Sequence, residues 1–313
     1  MICKTPHFGE IIMRYFNKVN IFAVAFYAFL FTPVSCNLAN AFGHYEPGAL
    51  GLNAASLPPP GFHYTIYNMF YNASTLHDNN GNFVDAGLDL NVFASAHQFT
   101  YMTNQKILGA DFGFDMIVPL VNVDIKMAGV NESTTGIGDL YFEPFVLGWH
   151  TPRWDFAFAL GVFAPTAASG EPSSIGKGYW SFMETLGATY YFDESRTWTV
   201  SLLTRWLQNT ENRDTNVTPG TEVVAEYGLA KAFPSENHII TAGIAGYTYA
   251  QLTEDSGTGA SDNKFIGNSI GPEIRYMAFK PFPFQVALRY LTEYGAENTT
   301  EGTTVCLQLI GSF

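Results

Sequence analysis

The residues able to do chemistry in this chain are ionisable side chains set at alternate positions. Asp111, Asp139, Glu143, Arg205, Glu226, Glu273, Arg275, Arg289 and Glu293 fall on the face opposite large apolar residues, Glu184 is assigned inward on its charge alone, and Asp89, Asp155 and Glu222 follow the same parity. Carboxylates outnumber arginines in this set. Such a set can pair into an ionic network that fills a narrow interior. It can also line a pore that disfavours anions and passes neutral or cationic solutes. Acid–base chemistry by two carboxylates needs close mutual geometry. Asp139 and Glu143 stand four apart on one strand face, roughly 13 Å at strand rise, too far for a direct dyad. The histidines His44, His63, His77, His97, His150 and His238 are scattered and give no zinc-ligand spacing. Ser95 lies near His97 without a serine–histidine signature around them. Asp78 to Asn82 is calcium-like in composition but fails the EF-hand spacing, so it reads as a turn. No catalytic residue, metal ligand or cofactor is expected.

The elements that must position these residues are strands. Period-two texture recurs near 61–74, 86–103, 107–121, 136–150, 154–166, 178–192, 197–208, 220–232, 238–252, 265–279, 284–295 and 302–313. In 154–164, Trp154, Phe156, Phe158, Leu160 and Val162 oppose Asp155, Ala157, Ala159 and Gly161. In 284–294, Phe284, Val286, Leu288, Tyr290 and Tyr294 oppose Gln285, Arg289 and Glu293. Strand 178–192 does not sort cleanly, and Glu184 alone turns its even positions inward. Short connections near Asn104–Gln105, Thr151–Arg153, Asp193–Arg196, Pro234–Asn237 and Lys280–Pro283 alternate with longer polar ones at 76–85, 122–135, 167–177, 209–219, 253–264 and 296–301. Alternation of this kind is the mark of an up-and-down membrane barrel, with short turns on one rim and loops on the other. The final strand, Thr303 to Phe313, ends on an aromatic residue with an apolar face behind it, which resembles the terminal assembly signal of outer-membrane barrels; Phe313 is its key residue.

Composition agrees. Of 313 residues, 47% are hydrophobic and 16% aromatic, but only 14% are charged, against roughly 25% charged in ordinary soluble proteins. No apolar run after position 41 is long enough for a spanning helix. The net charge of −13 argues against nucleic-acid binding. Arg14 and Lys18 precede an apolar run from Ile21 to Phe31, and Ala39-Asn40-Ala41 supplies a cleavage site, so 1–41 reads as an export signal with Met13 as an alternative start. Of three cysteines only Cys306 then remains.

Residues 42–60 form a Gly- and Pro-rich leader, too irregular for a strand. Its apolar residues need cover that a barrel lumen could give. His44, Glu46, Leu50, Leu52, Ser56 and Leu57 are the candidates for a lumen plug, with His44 or Ser56 meeting an inward acid such as Asp139 or Glu143. Glu46-Pro47-Gly48, Gly51-Leu52, Ala54 through Gly61, Tyr64, Tyr67 and Tyr71 resemble the opening of the phenol meta-pathway degradation-like family. Thr135-Gly136-Ile137-Gly138-Asp139-Leu140, with Pro144 and Trp149, resembles its second marker. The resemblance implies an exported outer-membrane barrel connected with aromatic compounds.

The expectation is therefore an all-β, antiparallel, up-and-down transmembrane barrel of about twelve strands over 61–313. It would sit in the bacterial outer membrane and contact lipid and the barrel-assembly machinery. It would pass small hydrophobic or aromatic solutes, a substrate class that comes from the resemblance. The competing functions are a lipid hydrolase and a closed-lumen recognition barrel. An inward, wet Ser–His pair would favour the first, and a gap in the wall or along the axis favours transport.

Overall fold

A computed structural model describes residues 43–280 and 282–313. The expected export signal over 1–41 lies outside the described residues. No helix occurs among those described. Twelve strands build the barrel: β1 (Gly61–His77), β2 (Asp89–Ile107), β3 (Ala110–Met127), β4 (Leu140–His150), β5 (Trp154–Ala164), β6 (Ser181–Tyr191), β7 (Trp198–Asn209), β8 (Glu222–Pro234), β9 (His238–Gln251), β10 (Ile266–Ala278), β11 (Phe284–Glu297) and β12 (Thr300–Ser312). Each pairs antiparallel with its sequence neighbour, and β12 closes on β1 through pairs such as Tyr67 with Gln308 and Phe70 with Val305. Closure leaves no free sheet edge. The chain termini of the barrel meet at Phe62, whose carbonyl accepts the Phe313 N–H at 2.9 Å.

The period-two pattern decides which face meets which medium. Phe70, Phe182, Leu186, Ile244 and Ile274 are more than half exposed on the outside. A continuous belt of this kind is stable only against lipid. The inner positions are small, polar or charged, as in β5, where Asp155, Ala157 and Ala159 are buried.

Several expectations need correction. Glu184 faces outward, not into the lumen. Phe182 and Leu186 flank it on the exposed face, Ser181, Met183 and Thr185 fill the interior, and its cross-strand neighbours are Leu160 and Trp206. Two large apolar side chains outweigh one carboxylate in setting the register. The acid lies near the outer end of β6, where the cost of a lipid-face charge falls toward zero. Asp89 likewise is exposed, 3.5 Å from Lys126, at the outer end of β2.

The other corrections concern connections. β2 runs on to Ile107 and turns at Leu108–Gly109, beyond Asn104–Gln105; both turn residues have positive φ, 52° and 81°, as a two-residue hairpin turn requires. The segment 122–135 is a hairpin and not a coil loop: β3 continues to Met127, reverses at Ala128–Gly129 and pairs with an extra strand, Val130–Ile137. The β11–β12 connection is equally tight, so two of the six outer-rim connections are hairpins that rise as strand. All six outer-rim connections, coil or hairpin, still share one rim, and the five short turns lie on the other.

Candidate functional site

The leader threads the lumen from rim to rim. At the turn rim the His63 ring meets the Pro59 carbonyl (2.8 Å). At the loop rim the His44 ring reaches Asp139 and Ser181. Between these ends the leader packs on inward residues. Leu52 is fully buried against Ala230 and Ala245, and Ala55 against Ala157 and Leu203. The small residues of β5, β8 and β9 make this room; a Cβ on Gly228 would stand 3.1 Å from Leu52. Burying Leu52 alone contributes about 2 kcal/mol.

Irregular backbone inside a barrel needs hydrogen-bond partners, and the charged set supplies them. Glu226 on β8 accepts the N–H of Leu50 (3.1 Å) and Gly51 (3.2 Å). Glu273 on β10 accepts the N–H of Leu52 (3.0 Å). Arg275 donates to the Leu50 carbonyl (2.8 Å), and Arg289 to the carbonyls of Gly48 and Ala49. The two arginines also share Glu273, Arg289 at 2.5 Å. Gly51 has φ +64°, and a Cβ there would collide with Glu273 and Arg289. Only glycine lets the backbone come this close.

The other inward charges do separate work. Glu293 accepts from Tyr71 (2.9 Å), Tyr247 (2.8 Å) and the Gly302 N–H (2.7 Å). Asp139, in the break between two strands, accepts the N–H of Ala167 (2.8 Å) and Lys177 (2.7 Å). It thereby ties the 165–180 loop to the leader. Asp111 is set apart at the turn rim with Lys106 (2.6 Å). Of the leader candidates, Ser56 lies by the Tyr191 hydroxyl (3.2 Å) and Leu57 packs under Met102 and Val146. Burial pushes the Glu46 carboxyl up to about 7, with Lys177 pulling the other way and Glu293 adding to the rise.

Two cavities lie on either side of a septum. The outer one, about 230 Å3, is walled by Met69, Leu90, Val92, Ile117, Val121 and Val123 and capped by Ser174 and Ile175 of the loop. The inner one, about 420 Å3, opens under Pro58 and Pro59. Leu50, Tyr67, Gln98, Glu143 and Arg205 border both. Tyr67 donates to Gln98 (2.9 Å), Gln98 to Asp115 (2.6 Å), and Arg205 to the Tyr45 hydroxyl (3.1 Å), which in turn donates to Glu226. Arg205 also stacks over the Tyr45 ring at 4.3 Å. Tyr45, Asp115 and Gln98 were not among the residues singled out by charge and parity. Asp115 carried the right parity; Tyr45 carried no signal, because its role depends on where the leader lies.

The wall is interrupted beside the outer cavity. β3 pairs with β4 as far as Ile117–Tyr141, and pairing resumes only at Leu120–Ile137. Pro119 has no N–H to give, and the single bond across the interval runs from the Gly138 N–H to the Pro119 carbonyl (2.9 Å). Both residues line the outer cavity.

Ser181, His44 and Asp139 form a serine–histidine–acid chain, with contacts of 2.7 and 3.0 Å. The Ser181 hydroxyl donates to the Asn209 carbonyl, whose amide in turn donates to Glu222 and Gly220. Ser181 is fully buried and lines neither cavity. Ser95 and His97 face the outside, where Ser95 donates to Asn68 (2.9 Å) and His97 meets Tyr64 (2.6 Å).

The family model described as "Putative MetA-pathway of phenol degradation" matches residues 73–309. No curated protein matches the sequence. Among solved structures, an outer membrane channel from Pseudomonas putida F1 aligns at TM-score 0.71 and 15% identity, over 86% of this chain and all of that one. The β domain of the Bordetella autotransporter BrkA aligns at TM-score 0.53 and 9% identity, over 82% of this chain and 100% of that one. These likenesses are of fold.

Proposed function

The chain belongs to this family of phenol-degradation proteins, and from that membership we propose that it is a bacterial outer-membrane channel for small apolar or aromatic solutes, stoppered along its axis by its own leader. The observation that carries the reading is the outer cavity. An apolar cavity of about 150 Å3 accepts benzene, so about 230 Å3 with an aliphatic wall on β1, β2 and β3 suits a single aromatic ring, while Glu46, Glu143, Lys177 and Arg205 also border it. Residues 43–60 act as the plug. Glu226, Glu273, Arg275 and Arg289 are then plug ligands more than a pore lining, while Glu143 and Arg205 guard the septum. With the axis occupied, the interruption at Pro119 and Gly138 offers a solute a way out of the outer cavity toward the bilayer without moving the leader. The polypeptide performs no chemistry on its solute in this reading. Lipid at the apolar belt and the barrel-assembly machinery at Phe313 are its other partners.

The test is solute entry into liposomes. Vesicles holding the purified barrel should take up toluene or ethylbenzene into an internal trap several-fold faster than empty vesicles. Equal rates, with correct insertion established by protease protection, overturn the channel reading.

A further inference from the structure

We infer that the inner chamber is a second binding site, selective for small uncharged solutes that carry a hydroxyl group on a compact apolar body; the inference rests on the channel reading above. Among the described residues three buried side-chain atoms without a hydrogen-bond partner belong to residues lining this chamber: Thr185 Oγ1, Arg205 Nε and Gln308 Oε1. All three residues are at least nine-tenths buried. Buried polar groups without partners are rare and costly.

Their placement describes the ligand. Thr185 and Arg205 stand directly opposite each other on β6 and β7. Gln308 lies on β12, elsewhere around the wall. One pole therefore offers a donor beside a hydroxyl, and the other offers an acceptor. A hydroxyl group both donates and accepts, and so can use either pole. Between the poles the lining is aliphatic, including Leu50, Leu57, Val146 and Met277. Arg205 and Arg275 are already paired with Glu226 and Glu273, so a charged solute finds no free counter-ion in this lining. The outer cavity lacks this feature, since of the residues with unpartnered atoms it shares only Arg205. The two cavities thus make different demands on one solute: the outer admits an apolar ring, and the inner retains one that bears a hydroxyl.

The experiment is a ligand-observed NMR titration of the full barrel in detergent with benzyl alcohol and its near-isostere ethylbenzene. A hydrogen-bonded hydroxyl contributes about 0.5–1.5 kcal/mol, so benzyl alcohol should bind up to about tenfold more tightly. Thr185→Val and Gln308→Met, both close in shape, should each erase much of that preference and leave ethylbenzene within twofold of its original affinity. Equal binding of the two ligands to the wild-type barrel overturns the inference and leaves water as the only occupant. So does a preference that survives both substitutions. Liposome uptake separates the two claims: protein-dependent uptake without the binding preference sinks this inference alone, and the preference without uptake sinks the channel reading.

Discussion

Replacing Arg289 with alanine should release the leader while leaving the barrel standing. Arg289 and Glu273 have side-chain exposures of 1% and 0%. Removing one partner of a dry ion pair costs about 3–5 kcal/mol, and because Arg275 stays on Glu273 the loss falls at the low end. The same change strips a charged donor from the carbonyls of Gly48 and Ala49. The strand ladders are untouched, so the cheapest response is for residues 43–57 to leave their seat and for water to reach Glu273. A shift of about 3 kcal/mol in the seating equilibrium is a population change of roughly a hundredfold. The readout is the rate at which a water-soluble maleimide labels a Ser56→Cys reporter in detergent, Cys306 being buried. Arg289→Ala should raise that rate by about a hundredfold, with the barrel's melting temperature moving by only a few degrees. Arg289→Lys, which keeps the charge but not the planar fork, should fall between. An unchanged labelling rate in a folded barrel would refute the idea that this network holds the leader, and would mean that the pair is already hydrated.

Further outcomes follow from the same geometry. Glu46 favours its protonated form in the seated leader, so its contribution is complete below its ordinary value of 4.5 and lost as pH rises through about 7. Burial of His44 acts in the opposite sense, but only below its ordinary 6.5; labelling of Ser56→Cys, normalised to the denatured chain, should therefore accelerate from pH 6.5 to 8, and Glu46→Gln should flatten the profile. A Cβ on Gly138 would lie 3.2 Å from Pro119, so a Pro119→Cys, Gly138→Cys pair should oxidise and slow aromatic uptake several-fold, reversibly with reductant; unchanged uptake argues against exit through the wall. Deleting Phe313 should slow outer-membrane assembly in cells, and normal assembly would remove its role as the signal.

How far the sequence speaks depends on how many neighbours agree. In β5 and β11 all but one of the large apolar residues share one parity, Phe163 and Leu291 being the exceptions, so the faces could be read directly. In β6 Glu184 shares its parity with Phe182 and Leu186, so charge and apolar bulk pointed that one face in opposite directions, and a lone carboxylate near the membrane boundary is a weak guide. The outer hairpin was hidden for another reason. Beyond the bilayer the outer face of β3 meets water, so Asn122, Asp124 and Lys126 read as loop, although Val121, Val123 and Ile125 keep the inward alternation. The charges destined for the lumen were legible, but not their partners. Glu226, Glu273, Arg275 and Arg289 bond chiefly to a leader some 170 or more residues away, and no local pattern encodes such a meeting. Tyr45 escaped notice on the same ground.

The most direct test of a stoppered barrel is the single-channel conductance of the full chain beside one lacking residues 43–58 in planar bilayers. The leader fills the lumen from His44 to Pro59. The full chain should pass almost no ionic current, and the shortened chain should show steady open channels at least several-fold larger. Equal conductance from two correctly inserted barrels would contradict the account.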